Sequence, residues 1–511
     1  MTRVPSLLVH LVPSVVVSLG VAVAPSGSGR LAAAPSADRP AVQAPALEPD
    51  AARQPRASLG GEALAFRITS RVLGETRTIA VATPASFDRT GPDRRYPVIV
   101  VLDGESLLAP VAAMASVLSA AGQMPEAVIV GIENTRRLHD LTPPGLSVSG
   151  SSLNEGGGEF LDFIARELLP AVDARFRGGA PRVLAGHSSG GILATWAAAT
   201  RDTFPFVLAL DTPTHLGDWW LTTRLLERAR ARRAPLRYVS LEAKFGWTDD
   251  RWAALVAAAP GDWRLDRERL AGESHESMTT MGAYVGLRRL FADASALTAP
   301  EAPAARVLAY YDGLAAPYGA PVVPPRTLLR RVIEDLIAEG HGALARDALD
   351  RLVAGYGEPA DARALRDRIA GAAAQPPPAE TVEGLLATPF PPVAAVTPFL
   401  GEWRGESWSR PEARSSMALR LRVEAGRVAG EVVSWPAAGI EQVSPLQYLA
   451  VTPGGLAFGY LNGMRPRGVL LYEGRVSGDV MDGEMRLAGM TFTMPDGRPL
   501  PVVSFRLLRQ R

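Results

Sequence analysis

The chain has 511 residues, enough for two or three domains, and its 47% hydrophobic and 21% charged content gives material for cores without global disorder. Lys and Arg number 54 against 53 Asp and Glu, so the formal net charge of +1 lacks the basic excess of a nucleic-acid binder. There is no cysteine, which excludes disulfides, thiolate nucleophiles and zinc–thiolate sites. The six histidines form no metal-ligand pair at helical spacing, and no metal or other cofactor is expected.

The first 24 residues read as a secretory signal peptide: Arg3, an apolar run from Leu7 to about Val23, and the small residues of Ala22-Val23-Ala24. The competing reading is an uncleaved anchor. Residues 25–58 are rich in Ala and Pro and read as a disordered spacer. A first domain is expected over residues 59–295. It opens with a hairpin, Ala63 to Thr69 and Thr76 to Ala82. Tyr96-Pro-Val-Ile-Val-Val-Leu102 and Ala127 to Ile132 then read as strands buried on both faces. Helical and extended stretches alternate from Leu107 to Phe291, which predicts an α/β fold with a mostly parallel sheet covered by helices on both faces. Residues 302–374 show only helical periodicity (Leu328, Val332, Leu336; Leu344, Ala348, Leu349, Leu352). A Pro-rich linker over 375–395 leads to short alternating segments over 396–511, a small all-β domain of barrel type.

The chemistry centres on Arg182-Val-Leu-Ala-Gly-His-Ser-Ser-Gly-Gly191. Strand, G-x-S-x-G and helix in that order make a nucleophile elbow, with Ser188 on a sharp turn and glycines on either side where strand and helix must pass closely. The N–H of Ser189, at the helix start, is placed to stabilise an oxyanion. The second donor is expected from the loop after Leu102, as the main-chain N–H of Gly104 or Glu105. A serine hydroxyl needs a neighbouring base, and in this fold the histidine follows the serine late in the domain. His275, in the polar loop Gly272-Glu-Ser-His-Glu-Ser-Met278, fits that place better than His215 or His341. His187 is expected to pack or orient. The acid behind the histidine normally follows the strand ending at Leu241, which nominates Glu242. Asp249, Asp250 and Asp211 are the other candidates, and a Ser-His dyad without an acid stays open.

Five motifs in order resemble the putative-esterase branch of the α/β-hydrolases, which includes the siderophore (ferric enterobactin and salmochelin) esterases. They are Tyr96 to Gly104, Gly131 to Arg136 with Asp140-Leu-Thr-Pro143, Gly158 to Phe163, Ala185 to Gly191, and Glu273-Ser-His-Glu-Ser277. The resemblance covers about Glu62 to Phe291 and implies a serine esterase with Ser188 and His275 in the catalytic roles. Thr212-Pro-Thr-His-Leu-Gly-Asp-Trp-Trp220 stands where the family often has Ser-Pro-Ser-Leu-Trp-Trp. Leu241-Glu-Ala-Lys244 stands where Gly-Asn-Glu is common. Phe399-Leu-Gly-Glu-Trp403-Arg-Gly405 is similar to the entry of lipocalin-like barrels. The expected activity is hydrolysis of a small-molecule ester in the periplasm or outside the cell, with no nucleic-acid partner and no stable membrane insertion after signal cleavage. The rivals are a peptidase or acyltransferase on the same fold, and a non-catalytic protein that binds ligand through the β domain.

Overall fold

The computed structural model describes residues 45–51, 56–58, 61–146, 155–300, 303–373, 381–410, 413–435, 441–461, 468–489 and 503–510. The expected signal peptide and most of the spacer lie outside them. No described helix is long and apolar enough to cross a membrane.

Ten strands form the first sheet: β1 (Glu48–Pro49), β2 (Arg56–Ser58), β3 (Gly61–Ser70), β4 (Glu75–Ala82), β5 (Tyr96–Val101), β6 (Val128–Ile132), β7 (Gly178–His187), β8 (Phe206–Leu210), β9 (Arg237–Glu242) and β10 (Arg264–Arg269). Their order is β1-β3-β4-β6-β5-β7-β8-β9-β10, with β2 also on β3. The six strands from β6 to β10 run parallel. Those on the β4 side of β6 are antiparallel, so the sheet is mixed where a mostly parallel one was expected. The β3–β4 hairpin itself was legible from its short turn. Its addition to the edge at β6, through Ile79↔Ile132 and Val81↔Val130, is a long-range pairing that no local signal marks.

Strands β5, β6 and β8 are buried at every position because both faces are covered. Ile99, Val101, Val183 and Ala185 point to one core; Val98, Val100, Leu102 and Leu184 point to the other, as the two-residue period of a strand requires. The first core holds helices Gly104–Ala120 and Met281–Leu290. Helices Arg326–Ala338 and Gly342–Tyr356 bury Leu328, Val332, Leu336, Ala348, Leu349 and Leu352 in that same core, so the helical segment extends the α/β body. Leu344 stays exposed. The second core holds Gly157–Phe163, Ser189–Thr200, Leu216–Arg230 and Asp249–Ala258.

The C-terminal strands are β11 (Gly401–Arg410), β12 (Ala413–Glu424), β13 (Arg427–Trp435), β14 (Gln442–Pro445), β15 (Tyr448–Thr452), β16 (Gly455–Leu461), β17 (Val469–Ser477), β18 (Val480–Ala488) and β19 (Val503–Arg509). All recorded pairs are antiparallel, in the order β14-β13-β12-β11-β19-β18-β17-β16-β15. The two ends of that order, β14 and β15, are neighbouring pieces of one chain segment. Leu446 N–H reaches Gly430 in β13 and Gln447 N–H reaches Gly459 in β16, which curls the sheet back on itself. Trp403, Met417, Phe458, Tyr472, Met481 and Phe505 fill the inner face. The short helix Val382–Ala387 covers part of the outer face, against Ala457, Val469 and Leu471. Trp403 is wholly buried and its indole N–H donates to the Phe399 carbonyl at 2.9 Å. Trp403→Ala should therefore destabilise this domain by about 3–5 kcal/mol in urea denaturation. A loss below about 1 kcal/mol would mean that the inner face is not packed around this ring.

Candidate active site

Ser188 sits between the end of β7 and the helix Ser189–Thr200 with φ 56° and ψ −117°, a strained conformation for a residue with a side chain. A Cβ on Gly186 would overlap the Gly190 carbonyl, and one on Gly191 would overlap the Thr212 hydroxyl. On Gly190 it would lie 3.3 Å from Asp103 Oδ2, a tight contact that can relax. The crowding argument thus holds for Gly186, whereas after the serine the more demanding glycine is Gly191, one position beyond the motif. The Ser188 N–H is anchored on the Leu210 carbonyl at 3.0 Å.

The loop carrying His275 lies over this turn. His187 Nε2 donates to the His275 carbonyl at 2.7 Å, and the two rings pack with centroids 4.4 Å apart. Burial, and then the neighbouring His275, hold the His187 pKa below its ordinary value, so it acts as a neutral donor. His275 Nδ1 donates to Asp211 Oδ2 at 2.6 Å, which leaves Nε2 as the acceptor. Asp211 Oδ1 accepts the N–H groups of Ala243, Lys244 and Phe245 at 2.7–2.8 Å. Burial alone would raise this carboxyl, but the His275 bond and the three amides hold it below the usual carboxylate value. Among the described residues the Ser188 hydroxyl has no hydrogen-bond partner. A long Ser–His contact is common in unliganded sites of this kind.

Two helix starts meet here. Gly104 and Glu105 open the helix Gly104–Ala120 after Asp103, whose φ of 53° and ψ of 50° turn the chain sharply. The first N–H groups of this helix, like that of Ser189, have no partner within their own helix. Gly104 must be a glycine for packing: a Cβ would stand 2.7 Å from the backbone of Gly131 and Ile132 in β6. Arg137 Nε and Nη2 bind Asp103 at 2.6 and 2.9 Å, and Nη1 approaches Ser189 Oγ at 3.5 Å. Asn134 donates to Asp103 at 2.7 Å and to Glu105. The Arg137–Leu141 turn is pinned from below by Asp140, paired with the wholly buried Arg77 at 2.7 Å. Among the described residues no group of three His, Asp or Glu side chains is arranged to hold a metal ion.

Residues 70–260 match the family described as "Putative esterase". The matched stretch runs from the end of β3 to the turn before β10 and contains both the Ser188 turn and Asp211. Siderophore triacetylfusarinine C esterase of Aspergillus fumigatus is 33% identical to this chain over 173 residues, which is 31% of this chain and 57% of the relative. The chain therefore matches little more than half the length of that curated relative. Among solved structures the chain is similar to an IroE-like serine hydrolase from Shewanella oneidensis, at 27% identity over 60% of this chain and 99% of that one, with a TM-score of 0.45. It is also similar to siderophore hydrolase EstA from Aspergillus nidulans, at 19% identity over 44% and 92% of the two chains, with a TM-score of 0.38.

The expected acid, Glu242, is not at His275. It is fully buried at the end of β9, where Arg267 holds it at 2.8 and 3.1 Å, Arg269 at 3.3 Å and the Trp247 N–H at 2.8 Å. Asp249 is exposed and paired with Arg267, and Asp250 lies in the exposed first turn of the next helix. The carboxylate at His275 belongs to Asp211, after β8. One signal was available: Asp211 closes an all-apolar strand, as Asp103 does. His215 stacks on Phe245 (5.7 Å), whose edge meets His275 (5.3 Å), and Trp219 meets His215 (6.3 Å). Gly217, Asp218 and Trp219 are all left-handed, so the extra Gly-Asp of the sequence is spent on a tight turn that brings Trp219 to this aromatic row.

Two outcomes follow for the carboxylates. Asp211→Asn puts an amide donor against the His275 Nδ1–H and should reverse the imidazole tautomer, lowering kcat against a p-nitrophenyl ester by about 10³–10⁴-fold. Glu242→Gln should leave kcat within about tenfold while lowering Tm, since it strands two arginines. Reversed results would return the acid's place to Glu242. The depressed pKa of Asp211 also fixes a pH dependence. Its contribution to stability is complete above the ordinary carboxylate value, near 3.9, and is lost as pH falls through its lower folded value. The stability gap between wild type and Asp211→Asn should therefore be present at pH 7 and shrink below pH 4, as read by denaturant unfolding.

Proposed function

We propose that the protein is a secreted or periplasmic serine carboxylic-ester hydrolase that works through an acyl-enzyme on Ser188. The observation that carries this reading is the strained turn at Ser188, whose neighbour His187 bonds the His275 carbonyl, together with the His275 Nδ1 tied to a buried carboxylate. His275 Nε2 takes the hydroxyl proton as Oγ attacks the ester carbonyl. The charge that develops on the carbonyl oxygen is met by the N–H of Ser189 and by those of Gly104 or Glu105. His275 then passes the proton to the leaving alkoxide, which departs as an alcohol. Water enters, gives its proton to His275 and adds to the acyl carbonyl. Collapse releases the carboxylic acid and returns the proton to Ser188. Asp211 holds the imidazole tautomer and faces the imidazolium that forms in both steps. Export rests on the N-terminal run ending Ala22-Val23-Ala24.

Esters of siderophore type are the proposed substrates. The fungal relative's own activity supports this, as does the aromatic row of Phe245, His215 and Trp219, which places ring surface beside the histidine.

A fluorophosphonate probe should label the wild type and fail on Ser188→Ala; equal labelling of the two would sink the assignment. His275→Ala should cut kcat by several orders of magnitude with intact folding by circular dichroism. Turnover of triacetylfusarinine C and enterobactin-type trilactones should exceed that of simple alkyl esters in kcat/KM. An inverse ranking would keep the hydrolase and remove the siderophore class.

A further inference from the structure

A cleft of about 760 Å³ opens at the other end of the sheet from Ser188. Pro97 at the start of β5 and Pro181 early in β7 form one wall. Tyr318, Val322, Pro324 and Ala354, from the helical segment beyond the esterase-family match, form the other. Six residues of extended chain separate Pro181 from Ser188, on the order of 20 Å, so this cleft and the elbow do not share a ligand. Its volume falls in the range of small-molecule sites, roughly 300–1,000 Å³.

Several polar groups at the cleft are committed. The Tyr318 hydroxyl donates to Asp293 at 2.5 Å and the Tyr311 hydroxyl to the Ala294 carbonyl at 3.0 Å, so both present ring surface. Arg351 and Asp312 bind each other at 2.6 and 3.2 Å. Among the described residues the exceptions are Asp93, Arg94 and Arg95. The Arg94 guanidinium lies 4.8 Å above the Tyr96 ring, and its buried Nε has no hydrogen-bond partner among the described residues. Arg95, exposed beside it, carries a second positive charge, while Asp93 stands at the exposed rim. The carboxyl nearest in influence, Glu126, is spent on Ser86, and no ion pair joins it to Arg94.

We infer that this cleft is a binding site for an amphipathic carboxylate, with the hydrocarbon or ring body along the proline and tyrosine walls and the carboxylate on Arg94. The Tyr96 ring beneath it restrains the guanidinium, which lowers the ordering cost of binding a planar two-oxygen acceptor. The prolines of that wall supply no N–H donors, so the charge preference of the cleft falls to Arg94 and Arg95, set against the single carboxylate of Asp93 at the rim. The site stands apart from the proposed hydrolysis and is tested without it.

Isothermal titration of the full chain with decanoate and with decanol separates the two halves of the inference. Decanoate should bind one per chain and at least tenfold more tightly than decanol. Arg94→Ala should erase that difference. Ala354→Trp, at an exposed lining position, should abolish binding of both while p-nitrophenyl ester turnover stays at the wild-type level, which also shows that the variants fold. Equal affinity for acid and alcohol would overturn the carboxylate assignment. Binding that survives Ala354→Trp would place the ligand elsewhere, and absence of saturable binding of either compound would overturn the site.

Discussion

The α/β half of the molecule depends on how closely the end of β7 can pass the helix that follows it. Ser188 reaches solvent only because its backbone is forced to positive φ, and that conformation is affordable only where the flanking chain carries no Cβ. Gly186 against the Gly190 carbonyl and Gly191 against Thr212 are the two contacts that leave no room. The same squeeze recurs one strand over, where Gly104 meets Gly131 as the helix Gly104–Ala120 leaves β5. Two helix N-termini are thereby drawn to one place, and Asp103 and Arg137 bind across the gap.

Much of this was legible in the sequence, for a physical reason. A nucleophile elbow is a local event whose requirements all fall within ten residues, and a late histidine in a polar loop follows from chain order alone. The acid was not legible in the same way. Glu242 and Asp211 both close apolar strands, β9 and β8, and both are fully buried. What separates them is their partners. Glu242 is met by Arg267 and Arg269 from β10, a strand of alternating charge whose arginines need a buried acid. Asp211 is met by three successive amides of the turn after β9 and by His275. Nothing in the one-dimensional pattern says that β10's arginines claim the glutamate first.

The mixed sheet follows the same division between local and distant. Apolar strands in an α/β rhythm announce parallel pairing, and a short Gly turn announces the β3–β4 hairpin. The edge at which that hairpin docks is fixed by Ile79 and Val81 finding β6, contacts separated by some fifty residues. The C-terminal domain read as short alternating segments of an all-β domain, and its strands pair antiparallel. The closing segment 442–452 carries no mark of its double duty, because leaving β13 for β16 costs only two peptide units, at Leu446 and Gln447.

The inner face of that β domain argues against the ligand-binding role that its Phe399 to Gly405 entry suggested. Phe458 and Tyr472 stack face to face at 5.0 Å, Phe505 meets both at its edges, and Trp403 is wholly buried. Rings in those geometries fill the interior as side chains fill other small barrels, where there is little space for a guest. The buried Tyr472 hydroxyl, its pKa pushed up by burial, has the Tyr460 hydroxyl at 3.5 Å as its recorded partner. A polar pair of that kind orients rings within a core more readily than it receives a ligand. The binding capacity of this chain therefore concentrates in the α/β body, at both ends of the same six parallel strands. At the carboxyl ends lie the strained turn and the two helix starts; at the amino ends lie proline walls and the Arg94 guanidinium over the Tyr96 ring.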